Sequence, residues 1–400
     1  MLVTAKLTEF EEARSLVLAC ASALDPERVA LEAAFGRVLA EQVTSPADVP
    51  AFDNSAMDGF AVRASDSGAG ARLRVVAESR AGSPAAAAIS AGEACAISTG
   101  AAIPEGTDAI VAVEDTRRYE NEVELAVAVK PGSFVRRAGE DVRAGATLLE
   151  PGVRLGPAEL GVLASAGRPS VAVGRRPRVA IVTTGDELVG VDAELSPGAV
   201  RDSAAYVLPA LVRSAGGEVV SVAHARDDPE AIRDAIGVAL AADAAVITGG
   251  MSVGEHDHVA EALGRLGVER RVAGVALRPG KPFWFGTHHR TIVFGLPGNP
   301  VSSLVTFVLF AAPALHALAG ASPERSRTIA TLTADCERTA GRLHAVRCRL
   351  ALAPNGWDAT PTGPQGSHVL TSMLGADALA LIPAGSGVVT AGEQVTVELL

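Results

Sequence analysis

Between residues 177 and 320 short apolar runs alternate with amphipathic stretches, and this alternation limits the fold more than any other feature of the chain. RVAIVTTG (178–185), EVVSVAHA (218–225), DAAVITGG (243–250) and TIVFGLPGNP (291–300) each carry a strand-like apolar run. AAYVLPALVRSAGG (204–217) and DDPEAIRDAIGVALA (227–241) have helical spacing, the second with Asp228 as N-cap and Pro229 at the first helical position. A strand followed by a helix and another strand makes parallel neighbours, and near-continuous Val/Ile/Ala runs suit strands buried on both faces. The segment is therefore expected to form an open parallel α/β sheet with helices on both sides.

Three of these strands run into polar, Gly-rich loops: TTGDE (183–187), TGGMSVGEHD (248–257) and GLPGNPVSS (295–303). In an open parallel sheet all strand C-termini lie on one edge, and ligands bind there where the strand order reverses. The three loops are expected to meet. Gly249 and Gly250 allow backbone N–H groups to approach an anion closely. The carboxylates in these loops suggest a hard cation such as Mg²⁺ beside the anion. Asn299 is placed as the N-cap of the next helix, with Pro300 at its first position. In LRPGKPFWFG (277–286), Arg278 and Lys281 flank a Pro-Gly turn, an arrangement suited to clamping an oxyanion.

The rest of the chain has a different texture. Residues 7–43 show helical spacing, and DPERVALEAAFGRVLA (25–40) is expected to be a helix capped by Asp25 with Pro26 at its first position. From 45 to 143 the chain is Gly- and Pro-rich with short alternating runs such as LRVVAES (73–79) and EVELAVAV (122–129), the pattern of a compact β module. A helix is expected from about Pro157 to Ala166. The domains read as 1–44 with 144–176, an elongated helical and β unit; 45–143, a β domain inserted within it; 177–325, the α/β domain; and 326–400, a small C-terminal β domain. The chain is multidomain, α/β plus β.

Composition removes several function classes. A net charge of −11 disfavours nonspecific binding to nucleic acid or anionic membrane. Cys20, Cys95, Cys336 and Cys348 are scattered, so they offer neither a zinc motif nor a disulfide framework, and a reducing, cytoplasmic setting is expected. The N-terminal stretch is amphipathic with early acids and does not read as a signal peptide. The apolar run 301–320 contains a proline, a histidine and two serines and is expected to be a buried helix, not a membrane span.

Eight stretches, in order along the chain, resemble the MoeA/gephyrin E-domain family, the molybdopterin molybdenumtransferases. They are FDNSAMDGFAV (52–62), ISTGAAIPEGTDAIV (97–111), VRRAGEDVRAG (135–145), VAIVTTGDEL (179–188), ITGGMSVGEHD (247–257), RPGKPFWFG (278–286), GLPGNPVSS (295–303) and GPQGSH (363–368). The resemblance implies a homodimer with the active cleft between the α/β domain of one subunit and the inserted β domain of the other. It implies a reaction in which molybdate and adenylylated molybdopterin give molybdenum cofactor and AMP with Mg²⁺. Molybdopterin adenylyltransferase and molybdoenzyme-maturation proteins are the expected partners. By position, Asp58, Thr99, Asp141, Glu187, Asp227 and Asp257 match polar residues important in the family, with Asp257, Glu187 and Asp227 at the metal and AMP-phosphate end. Ser252, Arg278, Lys281, Pro282 and Ser302 match positions near the pterin or molybdate; Arg347 and Ser367 match positions that contact the oxyanion. Gly249, Gly250, Pro297, Asn299 and Pro300 complete the expected substrate-binding set. The chain departs from the family pattern at Arg278, where Lys is usual; at Ala204, where Asn is usual; and in RLHAVRCRL (342–350), which lacks an aromatic before its second arginine. A tungstate-preferring paralogue and a non-catalytic pterin carrier or scaffold are the alternatives.

Overall fold

Helix α1 (Phe10–Ala19) opens the chain, but the stretch after it does not form the expected second helix. Pro26–Ala30 is a strand antiparallel to Ser170–Gly174, with Val29 opposite Val171, and it leads into a short 3-10 turn at Leu31–Ala33. Pro26, first in its strand, has no N–H to leave unpaired. Pairing with a strand that buries Val171 and Val173 outweighs a helical spacing worth only tenths of a kcal/mol per residue. The structure, a computed structural model, describes residues 6–251, 258–323 and 327–400.

Residues from both sides of the β module share one core, formed by Ala34, Leu39, Val43, Leu155, Leu163, Val171 and Val173. Helix α2 (Pro157–Ser165) contributes Leu163, and its start is closed by Glu159, whose Oε2 accepts the Gly156 N–H at 2.9 Å. The module between has a six-stranded sheet in the order Ala109–Ala112, Gly59–Val62, Glu93–Ile97, Arg72–Ser79, Glu122–Leu125, Thr116–Arg118.

The α/β layer holds strands β1 (Arg178–Thr184), β2 (Glu218–Ala225), β3 (Ala244–Thr248), β4 (Glu269–Ala273), β5 (Trp284–His288) and β6 (Thr291–Leu296), ordered β2-β1-β3-β6-β5-β4. β2, β1, β3 and β6 are parallel, whereas β5 is antiparallel to both β6 and β4. The four strands expected from the sequence are thus parallel, and β5 and β4 extend the sheet by antiparallel pairing, so that it is mixed. The two residues His289 and Arg290 between β5 and β6 are too few for a crossover and can only close a hairpin. Side chains alternate across the sheet: Val179, Ile181 and Val246 face one core with α1, α3 (Ala204–Ser214) and α6 (Pro300–Leu318). Ala180, Val182 and Ile247 face the other, with α4 (Pro229–Ala239) and α5 (His258–Arg265). Asp228 caps α4 as expected, accepting the N–H groups of Glu230 and Ala231 at 3.1 and 2.9 Å. Among the described residues α6 is the one helix long and apolar enough to cross a membrane, but 83% of its apolar window is buried. Its Phe310 stacks on Phe283 with centroids 4.2 Å apart.

The C-terminal segment forms a closed barrel. Leu343–Ala353, Gly356–Pro361, Arg327–Leu332, Gln394–Leu399 and Ala378–Ile382 follow one another, and the last pairs back onto the first. Closure leaves few exposed edges. Leu277–Arg278 joins the barrel beside Leu343 and His344, which ties the cationic loop of the α/β layer to this domain.

All four cysteines are free, with Cys95, Cys336 and Cys348 buried. Burial pushes the Cys95 thiol up to about 11 and the Cys348 thiol up to about 12, and it raises Cys336 as well. Thiolates are the reactive form. A disulfide-exchange reagent at pH 8 is therefore expected to label native protein rapidly only at Cys20, and at the other three after denaturation. Rapid native labelling at all four would contradict this packing.

Candidate active site

The C-terminal ends of β1, β3 and β6 are laced together. The Thr184 hydroxyl donates to the Thr248 carbonyl at 3.4 Å, and the Thr248 hydroxyl donates to the Pro297 carbonyl at 3.1 Å. The loops after β1 and β2 are clasped in turn: Asp186 N–H donates to Asp227 Oδ2 at 3.3 Å, and Asp227 N–H donates to Asp186 Oδ1 at 3.2 Å. Each bond joins residues more than forty positions apart through short side chains, so loops distant in sequence open onto one cleft of about 910 Å³. β1 lies between β2 and β3, the reversal of strand order where open α/β sheets bind ligands.

Of the residues singled out in the sequence, Glu187, Asp227, Gly249, Gly250, Pro282, Pro297, Asn299 and Pro300 line this cleft. Gly249 and Gly250 have φ of +93° and +59°, and a Cβ added at Gly298 would come to 3.5 Å from the Gly249 Cα. Any side chain at Gly249 would overlap the Thr184 carbonyl oxygen. Asn299 occupies the N-cap position of α6, but its side chain makes no capping bond, so its amide remains available to a ligand.

Arg201, Asp202, Ser203, Ala204, Met251, His258 and His368 also line the cleft, and the sequence reading did not assign them to it. RDSAA before α3 held a usable signal, because Asp202 Oδ1 accepts the Ala205 N–H at 3.0 Å and thereby sets that helix start against the cleft. His368 arrives from the C-terminal domain, and only the docking of that domain brings it there. One docking contact is the Val301 N–H, at the start of α6, donating to the Ser367 carbonyl at 3.2 Å.

Three carboxylates, on Glu187, Asp202 and Asp227, thus face one cleft. Among the described residues no ion pair involves any of them, and the Arg201 guanidinium turns away to the Val191 and Ala193 carbonyls. Ser252 and Asp257 lie outside the described residues. Among the described residues no group of three or more His, Cys, Asp or Glu side chains is close enough to hold a metal ion by itself.

This organisation recurs in known proteins. The MoeA N-terminal region (domain I and II) matches residues 8–167, a probable molybdopterin binding domain matches 180–317, and the MoeA C-terminal region (domain IV) matches 330–400. The molybdopterin molybdenumtransferase of Nostoc sp. is 39% identical over 391 residues, covering 93% of this chain and 88% of its own. The Haemophilus influenzae molybdopterin molybdenumtransferase is 36% identical, with 93% of each chain covered. The chain belongs to the MoeA family of molybdopterin molybdenumtransferases. A crystal structure of the MoeA protein from Pyrococcus horikoshii superimposes with a TM-score of 0.83 at 30% identity, covering 99% of this chain and all of that one. The reaction of this MoeA-family enzyme belongs to molybdenum cofactor biosynthesis.

Other residues of this MoeA chain expected at the site lie outside the cleft. On the β module, Asp58 Oδ1 accepts the Thr99 N–H at 2.7 Å and the Thr99 hydroxyl at 3.1 Å, and both residues are exposed. Gly59 holds Asp58 at the start of its strand, because its backbone lies directly against the Val111 carbonyl where a Cβ would not fit. Asp141 is exposed, with its N–H on the Val49 carbonyl at 3.1 Å. Nearby, the Ala138 N–H and the Arg137 guanidinium hold the Asp53 carboxyl below the usual carboxylate range.

Around the C-terminal loop, Arg347 is fully buried and braces residues 363–368 from behind. Its N–H donates to Gln365 Oε1 at 2.9 Å, and its Nη2 donates to the Gly366 carbonyl at 3.3 Å. Nη1 has no partner. Burial pushes the Arg347 guanidinium down to about 10, which leaves it charged at neutral pH. Arg278 is half-buried and donates to the Thr339 hydroxyl at 3.2 Å. Lys281 is exposed and Ser302 buried, both next to cleft-lining segments.

Gly249→Ala combines a left-handed backbone with an overlap on Thr184. It is expected to cost about 1–3 kcal/mol of stability. By shifting the loop, it is also expected to lower kcat/KM by roughly 10²-fold. Steady-state kinetics beside a melting curve checks both, and wild-type kinetics would remove the loop from the site.

Proposed function

We propose that the cleft binds adenylylated molybdopterin and that the enzyme inserts molybdenum from molybdate into its dithiolene, releasing AMP with Mg²⁺. The observation that carries this reading is the set of carboxylates on Glu187, Asp202 and Asp227, which face a Gly-rich phosphate cradle and form no ion pair among the described residues, the Arg201 guanidinium being turned away. Carboxylates repel a phosphate unless a cation stands between, and hard oxygen donors suit Mg²⁺. Glu187 and Asp227, with Asp257, would hold the ion, and bound Mg²⁺ would stabilise charge on the departing AMP phosphate. Gly249 and Gly250 present backbone to the phosphate, and Asn299 offers its amide. Arg278, Lys281 and Ser302, with Ser367 braced by Arg347, bind molybdate and the pterin from the C-terminal side.

In this reading Asp58, Thr99 and Asp141 complete the cleft of a second copy in a homodimer. Their exposure on the β module, away from the cleft of their own chain, supports that arrangement. The chain works in the cytoplasm, a setting that suits four free cysteines. It receives substrate from the adenylyltransferase and passes product to molybdoenzyme-maturation proteins.

The direct test supplies purified protein with adenylylated molybdopterin, Mg²⁺ and molybdate, with tungstate in a parallel reaction. AMP release that requires the oxyanion and the cation, and that yields mature cofactor, is the expected outcome. Tight pterin binding with no AMP release under either oxyanion would overturn the reading in favour of a carrier.

A further inference from the structure

Among the described residues only Phe134 and His289 combine a side chain with positive φ. His289 sits in the β5–β6 hairpin, where such a conformation is ordinary. Phe134, with φ of 54°, has no such reason. A bulky aromatic residue is among the least tolerant of left-handed backbone, and Gly or Asn would fill the position without strain.

The surroundings hold it there. Gly132 N–H donates to the Asp108 carbonyl at 2.7 Å, and Ile110 N–H donates to the Ser133 carbonyl at 2.9 Å. Ala56 N–H donates to the Phe134 carbonyl at 2.9 Å, and Val135 pairs with Ser55. The turn is therefore over-determined. Phe134 is 45% exposed and packs in none of the hydrophobic clusters. Its backbone partner Ala56 lies two residues from Asp58, whose carboxylate binds Thr99. Arg136, two residues beyond the ring, is exposed and has no ion-pair partner among the described residues. Strain retained next to exposed polar groups points to contact with a ligand from outside the chain.

We propose that Phe134 is a substrate-binding residue: its exposed ring, on a turn whose backbone is bonded to the segment that carries Asp58, stacks on a planar heteroaromatic ring of the adenylylated pterin. This rests on the reading that the β module completes the cleft of a second copy. Stacking asks only for a flat face, so the adenine and the pterin are both suitable, and separate ligands distinguish them.

The experiment compares wild type with Phe134→Asn and Phe134→Trp. Asn tolerates left-handed backbone, so Phe134→Asn is expected to melt at the same temperature as wild type or higher. It is expected to raise KM for the adenylylated pterin about tenfold, with kcat largely kept. Phe134→Trp is expected to restore KM. Calorimetry with AMP alone and with molybdopterin alone assigns the ring, since weakened binding of one and not the other identifies the stacking partner. Unchanged KM in Phe134→Asn overturns the proposal. So does a shift of Phe134→Asn toward monomer with unchanged affinity for both ligands, which would make Phe134 a subunit contact. Failure of wild type to release AMP would strike the underlying reading instead, and the two failures are separable in one set of assays.

Discussion

Mixing inactive Asp58→Ala chains with inactive Asp227→Ala chains is expected to restore activity that neither has alone. Each substitution removes a polar group from the proposed site, and each is expected to lower turnover by roughly 10²-fold or more. Asp227 lines the cleft of the α/β layer, whereas Asp58 sits on the β module outside that cleft. If the β module of one copy completes the cleft of the other, a heterodimer has one doubly damaged cleft and one intact cleft. Random association makes half the dimers hetero, so recovery of about a quarter of wild-type activity is expected. Differently tagged chains, co-purified in sequence, verify that heterodimers formed. Verified heterodimers without recovery would place both residues in the same copy's cleft or remove one of them from it.

Glu398→Ala is expected to be the most damaging single substitution for stability. Glu398 is fully buried at the end of the chain and gathers two arginines from distant positions. Arg327 Nε lies 2.9 Å from its Oε2, and Arg14, itself nearly buried on α1, lies 3.6 Å from the same oxygen. Arg327 also reaches Glu11 of α1 at 3.3 Å. This network fastens α1 and the C-terminal barrel to each other. Truncating the acid leaves Arg14 buried without its counter-ion, a change that costs about 3–5 kcal/mol. A lower melting temperature and faster proteolysis within residues 6–24 are the expected readouts. Glu398→Gln keeps a hydrogen-bond acceptor and is expected to fall between. Melting of Glu398→Ala within error of wild type would show that the ion pairs contribute nothing net.

Local patterns made much of the architecture legible. Asp228 followed by Pro229 announced α4, and the cap bonds are there because both signals act within one helical turn. The buried runs of β1, β3 and β6 were readable because strands covered on both faces must be apolar throughout. The apolar run 301–320 was readable as a core helix because its serines, histidine and proline suit a protein interior. The Gly-rich loops after these strands pointed to the cleft because parallel strands put all their C-termini on one edge.

What the sequence by itself determined was therefore the set of elements governed by neighbours a few residues away, and the order of motifs that marks the MoeA family. Tertiary structure alone decided the rest. Pro26–Ala30 became a strand because a partner 140 residues along the chain offered it a ladder. Asp58 and Glu187 were placed on different surfaces, and His368 was brought to the cleft, by the docking of whole domains. Arg347 was turned inward to brace a loop, where its charge depends on burial that no local pattern encodes. The reason is one of range. Capping and side-chain periodicity act over a single turn or a pair of residues, whereas strand pairing, burial and cleft geometry depend on chain segments that meet only after folding.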